Sequence, residues 1–385
     1  METRTERRHG MYRIELSDVY GAKSFMNPRE PYTGGAGVQG QRDHVTGAML
    51  GMAGETTLLC HSRTLLSENV DLLSAAGMRL PKVLPYSGRE EYEEILESLP
   101  KSSTVFQHAH PRGALKEDVY FHKRSLLVWL NNKANMGELA PAESVPKRSM
   151  HTPGHLLSGA SPLGFPKVFK VASEKSLGGG EGVRICFSDD DVRRAAQEFA
   201  SESKVIIEEY VRVEENWCVN FAISDENDIL YLGSANQIVN DAGEYQGNWI
   251  SGEPRSEVVD LGRHVAEFAA ELGYRGFCGF DVVVSESGPK VIDLNFRLNG
   301  STPALCLEGA RTGGRSTRLF RSWKCADTHG ENHSFLLRLA QERIFIPLTG
   351  TFAWGGHSKV LGVLCGESRK EVSAHLDLMK SSGWH

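Results

Sequence analysis

The chain has 385 residues, 40% hydrophobic and 24% charged, with a formal net charge of −6. This is the composition of an ordinary globular protein of two or three domains, and the negative balance leaves no basic stripe for nucleic acid and no polybasic membrane anchor. No secretory apolar core follows the charged first residues and no run approaches the ~18 apolar residues of a membrane span, so a cytoplasmic protein with no nucleic-acid and no membrane partner is expected. Seven cysteines (Cys60, Cys186, Cys218, Cys278, Cys306, Cys325 and Cys365) lack Cys-x-x-Cys spacing and mostly have apolar neighbours. They read as reduced, packed thiols, not as a disulfide framework or a zinc site.

The glycine-rich stretch 31–41 follows no strand and precedes no lysine, so it reads as a loop and not as a phosphate cradle. Further on the pattern tightens into a strand at 56–60, helices at 65–77 and 90–99 and a strand at 104–107. That alternation predicts an α/β N-terminal domain. His108 and His110 have no further histidine or acid in register and read as loop or surface, not as a metal site. Residues 126–133 run from a buried segment to a polar end, and Lys133 on its own is a solvated lysine at a helix start.

After Gly164 a short strand carrying Lys170 enters a loop with Gly178, Gly179 and Gly180, and a second strand returns at 183–187. Glycines let backbone amides approach phosphate oxygens and let a loop act as a lid, and a strand-borne lysine supplies a fixed positive charge. The combination suits a triphosphate. No Gly-Lys-Ser/Thr follows, which excludes a P-loop, and the third glycine of a dinucleotide fingerprint is missing. Ser188 caps a helix whose three aspartates complement its N-terminal dipole. A buried strand at 205–211 ends in acidic residues, with Glu215 seven positions after Glu208.

Residues 217–224 and 228–239 read as paired strands, 240–254 as a long polar loop, and 256–273 as an amphipathic helix ending at Gly273. In 277–302, two apolar runs flank Ser-Glu-Ser-Gly-Pro and predict a β-hairpin. The period of two puts Ile292, Leu294, Phe296 and Leu298 on one face and Asp293, Asn295 and Arg297 on the other. With the loop centred on Ser287, Asp281 lies opposite Asp293, Cβ atoms roughly 4.5–5.5 Å apart. Such a pair is tolerable if one carboxylate is protonated, if Arg297 lies between them, or if a hard divalent cation binds both. The remainder is an extra segment running through 331–342 into an apolar strand at 344–354 and then a strand, turn and helix at 359–380.

Asp281 followed by Asp293-x-Asn295-x-Arg297 resembles the metal-binding strand pair of the ATP-grasp superfamily of carboxylate ligases. The order Lys133, Lys170 with the glycine loop, Glu208, Glu215, then the hairpin is similar to that family across roughly 121–310. The resemblance implies an α/β (α+β) ATP-grasp fold. It would have a pre-ATP-grasp α/β domain at 1–120, an ATP-grasp domain at 121–310 and a small α/β extension at 311–385. The lysine and glycine-loop subdomain would span about 133–204 and the metal-binding lobe about 205–310.

The same resemblance implies ATP held by Lys133, Lys170, Gly178, Gly179 and Gly180, with adenine at Glu208 and the backbone around Glu209 and Val211, and ribose at Glu215. Two Mg2+ ions, with Mn2+ as an alternative, would sit on Asp281, Asp293 and Asn295. Arg297 would neutralise an acyl phosphate, with Lys170 also in the catalytic set. The family's central acid is Glu, one methylene longer than Asp293. The implied activity is ADP-forming ligation of a small-molecule carboxylate to an amino-acid or peptide amine, in a chain compatible with a homodimer. The N-terminal domain and the extension most resemble bacterial peptide ligases of the pheganomycin type, which implies a setting in antibiotic biosynthesis. Two alternatives stay open: a carrier-protein or free amino-acid acceptor, and a nucleotide-binding module without turnover.

Overall fold

The computed structural model describes residues 13–29, 32, 42–110, 115–156, 163–173, 182–224, 228–240, 243, 245–308, 312–326, 330–354 and 356–385. The chain divides into two compact units, one of Met1–Lys123, Gly247–Gly252 and Gly300–His385, the other of Arg124–Gln246 and Glu253–Asn299.

In the first unit, β1 (Phe25–Asn27), β2 (Thr57–His61), β3 (Val83–Tyr86) and β4 (Thr104–Phe106) form a parallel sheet in the order β3-β2-β1-β4. Parallel neighbours need crossovers, and the helices Ser67–Ala75 and Arg89–Ser98 lie in two of them. β2 is buried along its whole length, as a strand covered on both faces should be. The His-x-His pair lies in irregular structure after β4, as the loop reading expects, although His110 is not at the surface. It is buried, its Nε2 2.8 Å from the Tyr92 hydroxyl, which also accepts from the Asn27 amide at 2.6 Å. Aromatic neighbours and a hydroxyl partner make burial of that imidazole affordable.

The second unit holds two antiparallel sheets. β5 (Arg148–His151), β6 (Lys167–Val171), β7 (Val183–Cys186) and β8 (Val205–Glu209) run in the order β5-β8-β6-β7. The helix Asp189–Glu198 closes a core of Phe169, Val171, Cys186, Val192 and Ile207, among others. Its cap is as expected, with Ser188 Oγ accepting from Asp191 N at 3.3 Å. β9 (Glu215–Ile223) and β10 (Ile229–Val239) belong to the other sheet, and β11 (Tyr245–Ile250) follows in the chain. The hairpin strands β12 (Gly276–Ser285) and β13 (Gly288–Asn295) join them, and within this unit the order is β13-β12-β9-β10. The helix Ser256–Glu271 covers its apolar face, with Val258, Leu261 and Val265 buried. Gly262 lets it seat there, since a Cβ would come within 2.5 Å of Val219 and 2.9 Å of Phe221.

β14 (Thr317–Cys325), β15 (Phe345–Pro347), β16 (Phe352–Trp354) and β17 (His357–Gly366) belong to the first unit. β14 pairs with residues 248–250 of β11 and with β17, and β17 also carries β15 and β16. So the polar loop expected at 240–254 contains a strand. Its polar letters hide the burial: Asn248 is buried, and Gly247, at φ +141°, lies so close to the Phe320 carbonyl that any Cβ would collide. β14 lay outside the expected elements because only Leu319, Trp323 and Cys325 mark its inner face. The single strand expected at 344–354 is split into β15 and β16. All seven cysteines are buried and unpaired in disulfides. Among the described residues no helix is long and apolar enough to cross a membrane.

Candidate functional site

The hairpin sets Asp281 opposite Asp293 and Gly279 opposite Asn295. The expected pairing is present, although the loop is not centred on Ser287. Ser285 pairs with Gly288, which leaves a tight two-residue turn, and the register is regained by a bulge between Val291 and Asp293 that adds Ile292 to β13. On the β12–β9 side Asp281 pairs with Cys218 and Gly279 with Asn220. One face of the sheet therefore carries Asp281, Asp293, Asn295, Cys218 and Asn220, while Phe280, Leu294 and Phe296 are buried under the helix. Gly279 in the middle of that face leaves room for the Asn299 amide, which a Cβ there would displace.

The two carboxylates are electrostatically unequal. Burial, and then the Asp293 charge, push the Asp281 carboxyl up to about 6, against weaker opposing pulls from Cys218, Gln237 and Lys133. Burial also pushes Asp293 up, but the Lys133 ammonium beside it, with Lys170 and Arg297, holds it below the usual carboxylate range. Lys133 makes an ion pair with Asp293. Asp281 Oδ1 is buried without a hydrogen-bond partner among the described residues. An orphaned carboxylate oxygen facing a second carboxylate, with the Asn295 amide one residue pair along, is a hard oxygen donor set that fits a divalent cation. The described residues contain no cluster of three or more His, Cys, Asp or Glu, so the set has two carboxylates and one amide and leaves room for water or phosphate oxygens.

The cations reach this face from separate elements. Asn132 caps a short 3-10 turn by accepting from Ala134 N at 3.0 Å, and Lys133 opens that turn with its side chain largely buried, not solvated. Arg148 Nη2 donates to the Lys133 carbonyl at 2.7 Å and lies 3.1 Å from Glu208 Oε1. Lys170 Nζ is 2.6 Å from Glu208 Oε2 and donates to the Ile292 carbonyl at 2.7 Å. The residue added by the bulge thus offers its carbonyl to Lys170. Glu208 is 1% exposed and sits between two cations.

Glu209, at the end of β8, accepts from Lys147 N at 3.0 Å, and Val211 is half-buried just beyond it. Glu215 opens β9, its carboxylate accepting from the Trp217 indole at 2.7 Å and lying 3.2 Å from Arg255. Gly178, Gly179 and Gly180 lie outside the described residues. Arg297 is buried, its Nη1 donating to Asn131 Oδ1 at 2.7 Å and its Nη2 to Asn295 Oδ1 at 2.5 Å.

Asn131, Arg148, Asn220 and Gly279 went unmarked in the sequence reading. Asn131 and Arg148 meet their partners across 166 and 60 positions respectively, and no local pattern encodes such contacts. Gly279 alone carried a signal, as a glycine inside an apolar strand.

A family model described as the ATP-grasp domain of L-aspartate–L-methionine ligase matches residues 146–295, and the N-terminal domain of the same ligase matches 15–128. The carbamoyl phosphate synthase large chain of Saccharolobus solfataricus is 25% identical over 158 residues, which cover 39% of this chain and only 14% of that protein. Among solved structures, the N5-carboxyaminoimidazole ribonucleotide synthetase of Thermus thermophilus superposes with a TM-score of 0.60 at 10% identity, covering 93% of this chain and 97% of the other. The phosphoribosylamine–glycine ligase of Thermotoga maritima gives 0.55 at 15%, covering 80% and 88%. At such identities the likeness is one of fold. The two domain models of one ligase, matched in tandem on a chain with this hairpin, mean that it belongs to the ATP-grasp family of ATP-dependent carboxylate–amine ligases.

Proposed function

We propose that the chain joins the carboxylate of one amino acid to the amine of another, with aspartate as acyl donor and methionine as acceptor, at the expense of ATP. The observation that carries the reading is the convergence of Lys133, Lys170 and Arg297 on the polar face formed by Asp281, Asp293 and Asn295. The matched models narrow the comparison from the pheganomycin type to the aspartate–methionine ligase, and support amino-acid substrates.

In this reading Lys133 and Lys170 bind the triphosphate, joined by the glycines at 178–180. Glu208, Glu209 and the backbone at Val211 face adenine, and Glu215 takes the ribose. Asp281, Asp293 and Asn295 hold two Mg2+ ions, for which Mn2+ can substitute. Bound there, a divalent cation offsets phosphate charge and polarises the transferred phosphoryl group. A donor carboxylate oxygen attacks the γ-phosphorus, the β–γ bridging P–O bond breaks, and ADP leaves. The acceptor amine then attacks the acyl carbon, the acyl C–O bond breaks, phosphate departs and the amine gives up a proton. Arg297 faces the negative charge on the acyl phosphate and on the tetrahedral species. No side-chain nucleophile is required.

The test is a screen of ATP with Mg2+ and pairs of amino acids, reading ADP and product mass. Aspartate plus methionine should give ADP and a product one water lighter than the pair. ADP release that is indifferent to both amino acids would refute ligation.

A further inference from the structure

Asn131 follows the helix Arg124–Leu130, far in sequence from the hairpin, yet its carboxamide is used on both ends. Its Nδ2 donates to the Leu127 carbonyl at 2.9 Å, and its Oδ1 accepts from Phe296 N at 3.1 Å and from Arg297 Nη1 at 2.7 Å. Turning the amide over would set two N–H donors against an NH2 and a carbonyl against an oxygen, so its orientation is fixed. Phe296 lies one residue past β13, where the ladder has ended, and Asn131 takes over its N–H. The same oxygen holds one arm of the Arg297 guanidinium, while Asn295 holds the other.

Both of these partners are carboxamides. A neutral acceptor orients a guanidinium without cancelling its charge, whereas a carboxylate in the same place would do both. We propose that Asn131 is a positioning residue, which aims Arg297 at the reacting acyl group without adding a further anion beside it. The inference rests on the ligase reading and adds a residue outside the motif. If Asn131 served only to tie the helix end to β13, aspartate, which keeps the acceptor and gains an ion pair with a buried arginine but loses the donor to the Leu127 carbonyl, would lose activity only in step with stability.

The experiment compares wild type with Asn131→Asp, Asn131→Ala, Arg297→Lys and the Asn131→Ala/Arg297→Lys double variant. It follows melting temperature, ATP affinity and ATP-dependent formation of aspartyl hydroxamate in hydroxylamine. Asn131→Asp should melt somewhat below wild type, through loss of the donor to the Leu127 carbonyl, and bind ATP within threefold, yet lose at least 100-fold in kcat. Asn131→Ala should lose tenfold or more alone but less than threefold in the Arg297→Lys background, because it acts through the guanidinium. Asn131→Asp activity within threefold of wild type overturns the proposal, as do fully multiplicative losses in the cycle. Should Asn131→Asp fail to fold, the cycle decides. Absence of hydroxamate in wild type is a different result: it removes the ligase reading, and this inference with it.

Discussion

Two facing carboxylates with opposite pKa shifts make a pH signature that can be measured without any substrate. The Asp281 carboxyl is raised to about 6 in the folded chain, so between roughly pH 4 and 6 the folded state holds more proton than the unfolded one. Stability should therefore fall as pH rises through that window, with the full penalty present above it. Asp293 has the opposite sign: its lowered value contributes stability above the ordinary aspartate range that is lost as pH falls through the folded value. Asp281→Asn should remove the first effect, stabilise the metal-free protein at pH 7.5 by about 1–3 kcal/mol and flatten its slope between pH 4 and 6. Asp293→Asn strips Lys133 of its ion-pair partner and should bring no such gain. Both should cut ligation by orders of magnitude, since each removes an anionic oxygen from the cation site. Melting curves in EDTA across pH 4–8 read the stability part; an Asp281→Asn protein no more stable than wild type at pH 7.5 would show that burial and the Asp293 charge together impose no penalty on the Asp281 carboxylate.

Among the elements, β8 does more than carry the residues assigned to adenine. Glu208 pairs across the sheet with Arg148 on β5 and Lys170 on β6, and its carboxylate is almost wholly buried. Glu208→Gln leaves two buried cations without their anion and should destabilise by about 3–5 kcal/mol, besides weakening ATP binding. Denaturation that matches wild type would mean the network is decorative. Gly262 gives a second test, of helix seating. Gly262→Ala drives a methyl into Val219 and Phe221 and should cost about 1–3 kcal/mol despite alanine's better helix propensity, as urea titration would report. What was legible in the letters follows from the same physics. The hairpin, the Ser188 cap and the amphipathic helix were readable because period, turn residues and capping are local. β11 was not, because its burial comes from neighbours supplied by β14, and neither was the bulge at Ile292, which left the predicted carboxylate pairing correct for an incomplete reason. The Asn131–Arg297 and Arg148–Glu208 contacts are set by the fold alone.

For the whole molecule, the pairings of the two lysines explain how nucleotide and cation should depend on each other. Lys133 is paired with Asp293, and Lys170 is held by Glu208 and the Ile292 carbonyl, so groups assigned to phosphate are engaged with groups assigned to the cation and the base. ATP binding without a cation must draw Lys133 from Asp293 and leave that carboxylate uncompensated beside Asp281. A cation arriving alone must displace the ammonium from Asp293 into a site with no phosphate to receive it. Each ligand removes the cost the other faces, so their binding free energies are coupled, and by linkage the coupling is reciprocal. Melting temperature should rise little with ATP in EDTA or with Mg2+ alone, and with both present by clearly more than the two increments added. In Lys133→Ala the exchange is absent and the excess over additivity should shrink, even though overall ATP affinity drops. Additive shifts in wild type, or an undiminished excess in Lys133→Ala, would mean that the Lys133–Asp293 pair does not link the two sites.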